Sequence, residues 1–194
     1  MTIYNHAVFP SIITEVDCAC FYHIQQPLID WIYEYQKTDE GVTISNRGGW
    51  QSHSDFYKKE SFSEYLDYIL QNSFFAVKFY NQNFKLSNMW ININKKDSYN
   101  TSHTHPLSLL SGVFWVKAPD NCGNLVFNNP QSFIEHELLS NATYNTQTEK
   151  NYLTNISFNP SAGKIILFPS HLRHHVEQNE FDGDRISIAF NLNV

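Results

Sequence analysis

The chain has 194 residues, of which 42% are hydrophobic, 15% aromatic and 16% charged. This length favours one domain, residues 1–194, and the aromatic content excludes an intrinsically disordered chain, because enough apolar surface exists to offset the entropy of ordering. The net charge of -6 has the wrong sign for holding nucleic acid through counterion release. No apolar run reaches the ~18 residues that a membrane span needs, so we expect neither a nucleic-acid nor a membrane partner.

The N-terminal segment and the cysteines point to a reducing compartment. The first six residues lack the basic and apolar regions of a signal peptide. The three cysteines are an odd number, and Cys18 and Cys20 are separated by only one residue, which argues against a disulfide framework. We therefore expect a cytoplasmic protein.

The first half of the chain, residues 1–84, mixes helices with one strand. Loose alternation over 3–16 predicts an edge strand. Apolar residues recur at helical spacing over 25–36, where Pro27 suits a first turn, and again over 61–79, so both ranges are predicted helices. Between them, 44–52 contains two consecutive glycines and no clear period, which predicts a loop.

Short β-like runs replace the helical pattern after about residue 85. Residues 89–94 alternate, which places Trp90, Asn92 and Asn94 on one face of a strand. Further strands are predicted over 109–116, 124–127, 152–158, 164–168 and 186–192. The sequence thus predicts a mainly β, α+β fold, in which 85–194 form a double-sheet jelly roll and the N-terminal helices cover one sheet.

Five of the nine histidines fall in two clusters, 102–106 and 169–176. Residues two apart in a strand project to the same side, so His103 and His105 can face one point. The apolar strand before the second cluster could deliver a further imidazole to that point from the facing sheet. Arg185 then opens the last predicted strand, and it is one of only three arginines.

These residue types suit an open metal site. A metal that activates dioxygen needs about three protein ligands on one face, and imidazole suits iron, zinc, copper and nickel alike. A fixed guanidinium would pair in bidentate fashion with a carboxylate, which a lysine would bind less specifically. Histidines alone therefore indicate a metal without naming it.

From about Trp90 to Asn191 the chain resembles the 2-oxoglutarate- and iron(II)-dependent oxygenases, specifically a small group of mostly bacterial and phage proteins. The matching segments are 103–106, 110–117, 123–127, 168–174 and 185–191, with a weaker likeness at 45–52. The resemblance implies a double-stranded β-helix and a place in the cytoplasm of a bacterium or a phage-infected host. It also implies Fe(II), 2-oxoglutarate and O₂ as cofactor and cosubstrates.

The family pattern is His-x-Asp/Glu, then a distal His, then Arg or Lys about ten residues later. The resemblance implies that His103 and His174 are iron ligands and that Arg185 pairs with the 5-carboxylate of 2-oxoglutarate. Ser187 lies two residues along the same strand and would support that carboxylate. Asn94, with Asn92 on the same face, matches a position that contacts the cosubstrate in related hydroxylases.

The chain departs from this pattern at His105, where the wider family has Asp or Glu. Either His103, His105 and His174 form a three-histidine site, or the third ligand comes from elsewhere. Asp97 is the nearest preceding carboxylate, but no spacing brings it to the metal. If His105 is not a ligand, its expected role is to hydrogen-bond and orient the first ligand.

The remaining candidates define the alternatives. His171 and His175 flank His174 at odd offsets and are expected at the pocket rim or in solvent. The other four histidines are expected in ordinary surface or core positions: His6, His23, His53 and His136. The polar run 128–150 could form a lid over the site.

The resemblance implies a dioxygenase with hydroxylation as its default outcome, acting on a small molecule or a peptide. Two other functions stay open: a cupin-like three-histidine metalloenzyme that does not use 2-oxoglutarate, and a non-catalytic metal-binding module. A homodimer is also open.

Overall fold

The computed structural model describes residues 11–130 and 155–194, in which β-strands dominate. The strands are β1 Thr14–Asp17, β2 Asn46–Arg47, β3 Trp50–Gln51, β4 Lys85–Asn94, β5 Tyr99–His103, β6 Leu110–Lys117, β7 Leu125–Asn128, β8 Asn155–Phe158, β9 Lys164–Pro169, β10 His174–Val176 and β11 Arg185–Asn193. The helices are α1 Gln25–Gln36 and α2 Ser63–Ala76. Short 3₁₀ turns lie at Phe21–His23, Phe56–Lys58, Glu60–Phe62 and Lys78–Tyr80.

The strands form two antiparallel sheets. The six-stranded sheet, here called the major sheet, has the order β1-β9-β6-β11-β4-β3. The five-stranded sheet, called the minor sheet, has the order β2-β5-β10-β7-β8. Apart from the neighbouring pairs β3–β4 and β7–β8, successive strands alternate between the two sheets, as in a double-stranded β-helix, so the predicted jelly roll is confirmed.

The two helices pack on the major sheet, as predicted: α1 contacts β6 and α2 contacts β1. Helix α1 occupies the whole predicted range, with Pro27 in its first turn. Helix α2 is shorter than the predicted 61–79, because 3₁₀ turns replace both of its ends. The second of these turns stops at Asn81, whose φ of 53° is a left-handed conformation that cannot continue a helix.

Apolar side chains form two cores, one on each face of the major sheet. The outer core lies under the helices and contains Met89, Ile91 and Ile93 of β4. The inner core lies between the sheets and contains Trp115, Phe127 and Phe168, among others. The predicted alternation of β4 is therefore confirmed, and its polar face turns toward the space between the sheets.

The predicted loop over 44–52 is wrong in part, because it contains β2 and β3. Strand β2 pairs with β5 and β3 pairs with β4, so the chain changes sheets at Gly48 and Gly49. A Cβ at Gly49 would lie 2.7 Å from the Ile93 carbonyl oxygen, so only glycine fits this close approach. Strands of two residues are too short to produce an alternating pattern in the sequence.

Several predictions reach beyond the described residues. The predicted edge strand over 3–16 is confirmed only in part: residues 11–13 are not strand, and the strand Thr14–Asp17 lies at the edge of the major sheet beside β9. Residues 1–10 lie outside the described ranges. Most of the proposed lid, residues 131–150 of 128–150, also lies outside them. Within the described ranges, neither helix is long and apolar enough to cross a membrane. The single-domain organisation of 1–194 and its division near residue 85 stay predictions.

Candidate metal centre

His103 and His174 face each other on neighbouring strands of the minor sheet. They are directly paired residues of β5 and β10, and their ring centroids are 4.4 Å apart. The expectation that the second imidazole comes from the facing sheet is therefore wrong. Strand β9 does lie in the major sheet, but His174 follows it on β10, and β10 is the partner of β5.

His105 completes a cluster of three imidazoles. Its ring centroid is 5.1 Å from that of His103 and 5.0 Å from that of His174. Because β5 ends at His103, strand alternation does not place His105, contrary to expectation; its amide instead donates to the Ser170 carbonyl at 3.0 Å. One ring nitrogen from each histidine lies within 4.8 Å of the other two, so the three can hold one metal ion.

Hydrogen bonds leave the same ring nitrogen available on each histidine. The Nδ1 atoms of His103 and His174 lie 2.7 Å and 2.8 Å from the carbonyl oxygens of Thr101 and Leu172. The Nδ1 of His105 lies 2.7 Å from the amide oxygen of Asn191. An oxygen acceptor places the proton on Nδ1, which leaves the Nε2 lone pair free for a metal.

Burial keeps these imidazoles neutral. It lowers the pKa of His174 to about 3 and that of His105 to about 4, and it also lowers the pKa of His103. Only the neutral imidazole is a metal ligand, so the cluster is ready to bind a cation at neutral pH without first losing protons.

Arg185 is a buried cation with unpaired donors. Its side chain is 1% exposed, and its Nε and Nη2 atoms have no hydrogen-bond partner among the described residues. Its Nη1 lies 3.5 Å from the hydroxyl of Ser187. Burial lowers the pKa of Arg185 to about 10, although the neighbouring Cys122 thiol opposes that shift, so the guanidinium stays charged at neutral pH. A guanidinium in this state fits a ligand carboxylate.

One small inner cavity, of about 30 Å³, joins the histidines to Arg185. Its lining includes six of the seven predicted site residues: His103, His105, His174, Arg185, Ser187 and Asn92. The seventh, Asn94, is buried beside the cavity, where its amide donates to Asn100 at 3.1 Å. Ser45 and Asn100 also line the cavity, although the sequence marks neither of them.

An outer cleft of about 440 Å³ opens onto His103 and His105. Among the described residues, its lining contains no Lys, Arg, Asp or Glu. The other ionisable residue in this lining is His53. Its Nδ1 lies 2.9 Å from a carboxylate oxygen of Asp39. His171 is exposed and His175 half-buried, and neither lines the cleft or the inner cavity.

The sequence reasoning also missed the polar groups around His105. Asn191, Ser111 and Ser170 are buried and hydrogen-bonded to one another or to His105. The available signal was a polar side chain flanked by apolar residues within a strand: Ser111 in β6 and Asn191 in β11. Polar residues in such places need partners, which marks them for attention.

Known structures share this fold. The chain is similar to the carbocyclase SnoK of nogalamycin biosynthesis (TM-score 0.66, 10% identity, covering 93% of this chain and 78% of that one). It is also similar to a prolyl-4-hydroxylase from Pseudomonas putida (TM-score 0.61, 13% identity, covering 93% of this chain and 91% of that one). A third similar structure is HygX from Streptomyces hygroscopicus with nickel and 2-oxoglutarate bound (TM-score 0.62, 13% identity, covering 93% of this chain and 82% of that one). At these identities the likeness shows the fold.

The family is established by sequence. No curated protein matches the chain by sequence. The sequence profile of the family described as "Putative 2OG-Fe(II) oxygenase", however, matches residues 88–191, more than half of the chain and all of β5, β10 and the metal-ligand candidates. The chain therefore belongs to the 2-oxoglutarate- and iron(II)-dependent oxygenases, which use Fe(II), 2-oxoglutarate and O₂.

Proposed function

We propose that this oxygenase is a hydroxylase with a three-histidine iron site. In the balanced reaction, a substrate C–H, O₂ and 2-oxoglutarate give a substrate C–OH, succinate and CO₂. His103, His105 and His174 hold the iron, and Arg185 holds the far carboxylate of 2-oxoglutarate. The observation that carries the proposal is the single cavity lined by both the histidine cluster and the unpaired guanidinium.

Arg185 is assigned to the cosubstrate because its burial is otherwise costly. A buried charge that lacks a partner is destabilising, and an anion that accepts its N–H donors removes that cost. The planar fork of the guanidinium matches a carboxylate through two parallel hydrogen bonds. Ser187 adds a hydroxyl at the same place, and Asn92 presents its amide to the same cavity.

The three histidines determine the net charge of the metal site and the number of coordination positions that stay free. Bound iron supplies dioxygen activation, with electrons from the oxidative decarboxylation of 2-oxoglutarate. Three neutral imidazoles leave the full charge of Fe(II) uncompensated, which favours a dianionic cosubstrate. Because the protein provides three ligands, further coordination positions remain for 2-oxoglutarate and O₂.

The outer cleft is assigned to the substrate, a small molecule or a peptide segment. Its lining combines apolar side chains such as Trp90 and Pro106 with hydroxyl and amide groups. The absence of Lys, Arg, Asp and Glu from its described lining favours an uncharged substrate group near the metal. Hydroxylation needs no protein acid or base, which agrees with this lining.

The free cysteines Cys18, Cys20 and Cys122 agree with a cytoplasmic location.

Anaerobic calorimetry tests the site assignment. We expect the Fe(II)-loaded protein to bind 2-oxoglutarate, and His174→Ala and Arg185→Ala each to abolish that binding. Metal binding that survives in Arg185→Ala without any effect on 2-oxoglutarate would refute the role of the guanidinium. Metal binding with no 2-oxoglutarate binding in the unaltered protein would instead favour the three-histidine enzyme that does not use this cosubstrate.

Labelled dioxygen tests the reaction outcome. The protein, Fe(II), 2-oxoglutarate and isotopically labelled O₂ are incubated with a metabolite and peptide extract. Hydroxylation requires a product that gains one labelled oxygen atom, in equal amount with succinate formed above the substrate-free rate. A product that loses two hydrogens, or that changes configuration without gaining oxygen, would contradict hydroxylation while leaving the oxygenase assignment intact.

A further inference from the structure

Asn191 on β11 makes a set of fixed hydrogen bonds around His105. Its amide oxygen lies 2.7 Å from His105 Nδ1 and accepts from the Ser111 hydroxyl at 2.7 Å. Its amide nitrogen donates to the Asn88 side-chain oxygen at 2.8 Å. The side chain is 5% exposed, so water does not compete with these bonds. Asn191 thus presents its amide oxygen to the imidazole and its amide nitrogen to Asn88.

The network extends to a third element. The Ser111 hydroxyl lies 2.8 Å from both the Ser170 hydroxyl and His105 Nδ1, and Ser111 and Ser170 are completely buried. The Ser170 carbonyl accepts from the His105 amide, so both the backbone and the ring of His105 are held. The groups come from β6, β11 and the segment after β9, which the major sheet holds together.

We infer that Asn191 is the positioning residue that makes His105 a metal ligand, an inference that rests on the proposed three-histidine site. His103 and His174 are oriented by backbone carbonyls on paired strands. His105 lies beyond the end of β5 and has no such support, so a side chain must provide the acceptor. A neutral amide oxygen places the proton on Nδ1 and turns Nε2 toward the other two imidazoles.

The same geometry explains how a histidine replaces the usual carboxylate. A carboxylate at position 105 would have no N–H to donate to the Asn191 oxygen. The residues at 105 and 191 therefore form a matched pair, in which histidine needs an acceptor on β11. Removing the hydrogen-bond partner of a metal-bound histidine typically weakens metal binding about 10- to 100-fold.

Cobalt(II) titration against a competing chelator tests this role. We expect Asn191→Ala to weaken Co(II) binding about 10-fold or more and to alter the visible absorption of the bound Co(II). Asn191→Asp keeps the acceptor oxygen and should retain most of the affinity. Asn193→Ala is the matched control: it removes two hydrogen bonds from the same strand, to Leu109 and Leu107, and touches no histidine.

Nitrogen-15 NMR of the unaltered, metal-free protein shows which ring nitrogen of His105 carries the proton, and it needs no substitution. We expect His105 to carry its proton on Nδ1; a proton on Nε2 would overturn the inference. So would Asn191→Ala binding Co(II) as tightly as Asn193→Ala. If His103→Ala and His174→Ala also leave Co(II) binding intact, the metal centre itself is wrong; if they abolish it and Asn191→Ala does not, only the role of Asn191 fails.

Discussion

His103 and His174 are directly opposite residues of two paired strands, with ring centroids 4.4 Å apart. The backbone hydrogen bonds of the minor sheet thus determine the spacing of these two imidazoles. His105 is placed differently, by side-chain contacts with the major sheet. The centre therefore has two ligands held by strand register and one held by a polar network, which makes different substitutions diagnostic for each.

Arg185→Gln should remove most of the affinity for 2-oxoglutarate. Truncating one partner of a buried, hydrogen-bonded charge pair costs about 2–5 kcal/mol, or roughly 30-fold or more in affinity. The measurement is calorimetry of the Co(II)-loaded protein. Arg173→Gln removes the same charge from an exposed side chain and should cost no more than about 1 kcal/mol. Equal losses in both variants would show a general charge effect instead of a specific pair.

Arg185→Met should stabilise the protein when metal and 2-oxoglutarate are absent. The two unpaired donors of the buried guanidinium penalise the folded state, and replacing a buried charge with an apolar side chain of similar size can gain about 1–4 kcal/mol. Urea denaturation measures the free energy of unfolding. Adding Co(II) and 2-oxoglutarate should stabilise the unaltered protein more than the variant. A variant less stable than the parent would contradict the unpaired state of Arg185.

His105→Asp restores the residue type of the wider family but should weaken Co(II) binding, by about 10-fold. The shorter side chain has no N–H to donate to the Asn191 oxygen, so the hydrogen bond that orients residue 105 is lost. The change is measured by chelator competition. Unchanged or tighter binding by the aspartate variant would show that the surroundings of position 105 accept either ligand.

The His53 imidazole should titrate above pH 6.5. Its hydrogen bond with Asp39 and the charge of that carboxylate raise the pKa of His53. Burial raises the pKa of Asp39, but hydrogen bonds from Tyr35, His53 and the Gly41 amide outweigh it and lower that pKa below 3.8. Because His53 binds its proton more tightly when folded, its contribution to stability is full below pH 6.5 and is lost as pH rises through the folded pKa.

Proton NMR of the His53 ring checks this titration. Asp39→Asn removes the charge and should move the midpoint down toward 6.5. Glu34→Gln removes an equal charge that pairs with Lys37 on the exposed face of α1, and it should leave the midpoint in place. An unchanged His53 titration midpoint in Asp39→Asn would contradict the pairing of His53 with Asp39.

Gly112→Ala should destabilise the fold by about 1–3 kcal/mol. A Cβ at this position of β6 would lie 2.2 Å from Cζ of Phe190, which is completely buried in the outer core and cannot move aside. Gly183→Ala is the control, because its Cβ would meet the ring of Phe181, which is 38% exposed and free to turn. Urea denaturation compares the two; similar losses would show that ring burial is not the cause.

Local patterns in the sequence determine much of this protein. Helix α1, the alternation of β4 and the strand that Arg185 opens all follow from the spacing of apolar residues, because each residue's neighbours along the chain set its local conformation. The order and spacing of the histidine clusters and Arg185 likewise carry the resemblance to the oxygenases. These features need no knowledge of distant contacts.

Tertiary structure decided the rest. The pairing of His103 with His174 depends on which strands are neighbours, and the role of Asn191 depends on three elements meeting at one point. The unpaired state of Arg185 is visible only when every group around it is placed. The spacing of residues in the sequence specifies the face of the strand on which a side chain lies. Strand register and sheet packing decide which residue that side chain contacts.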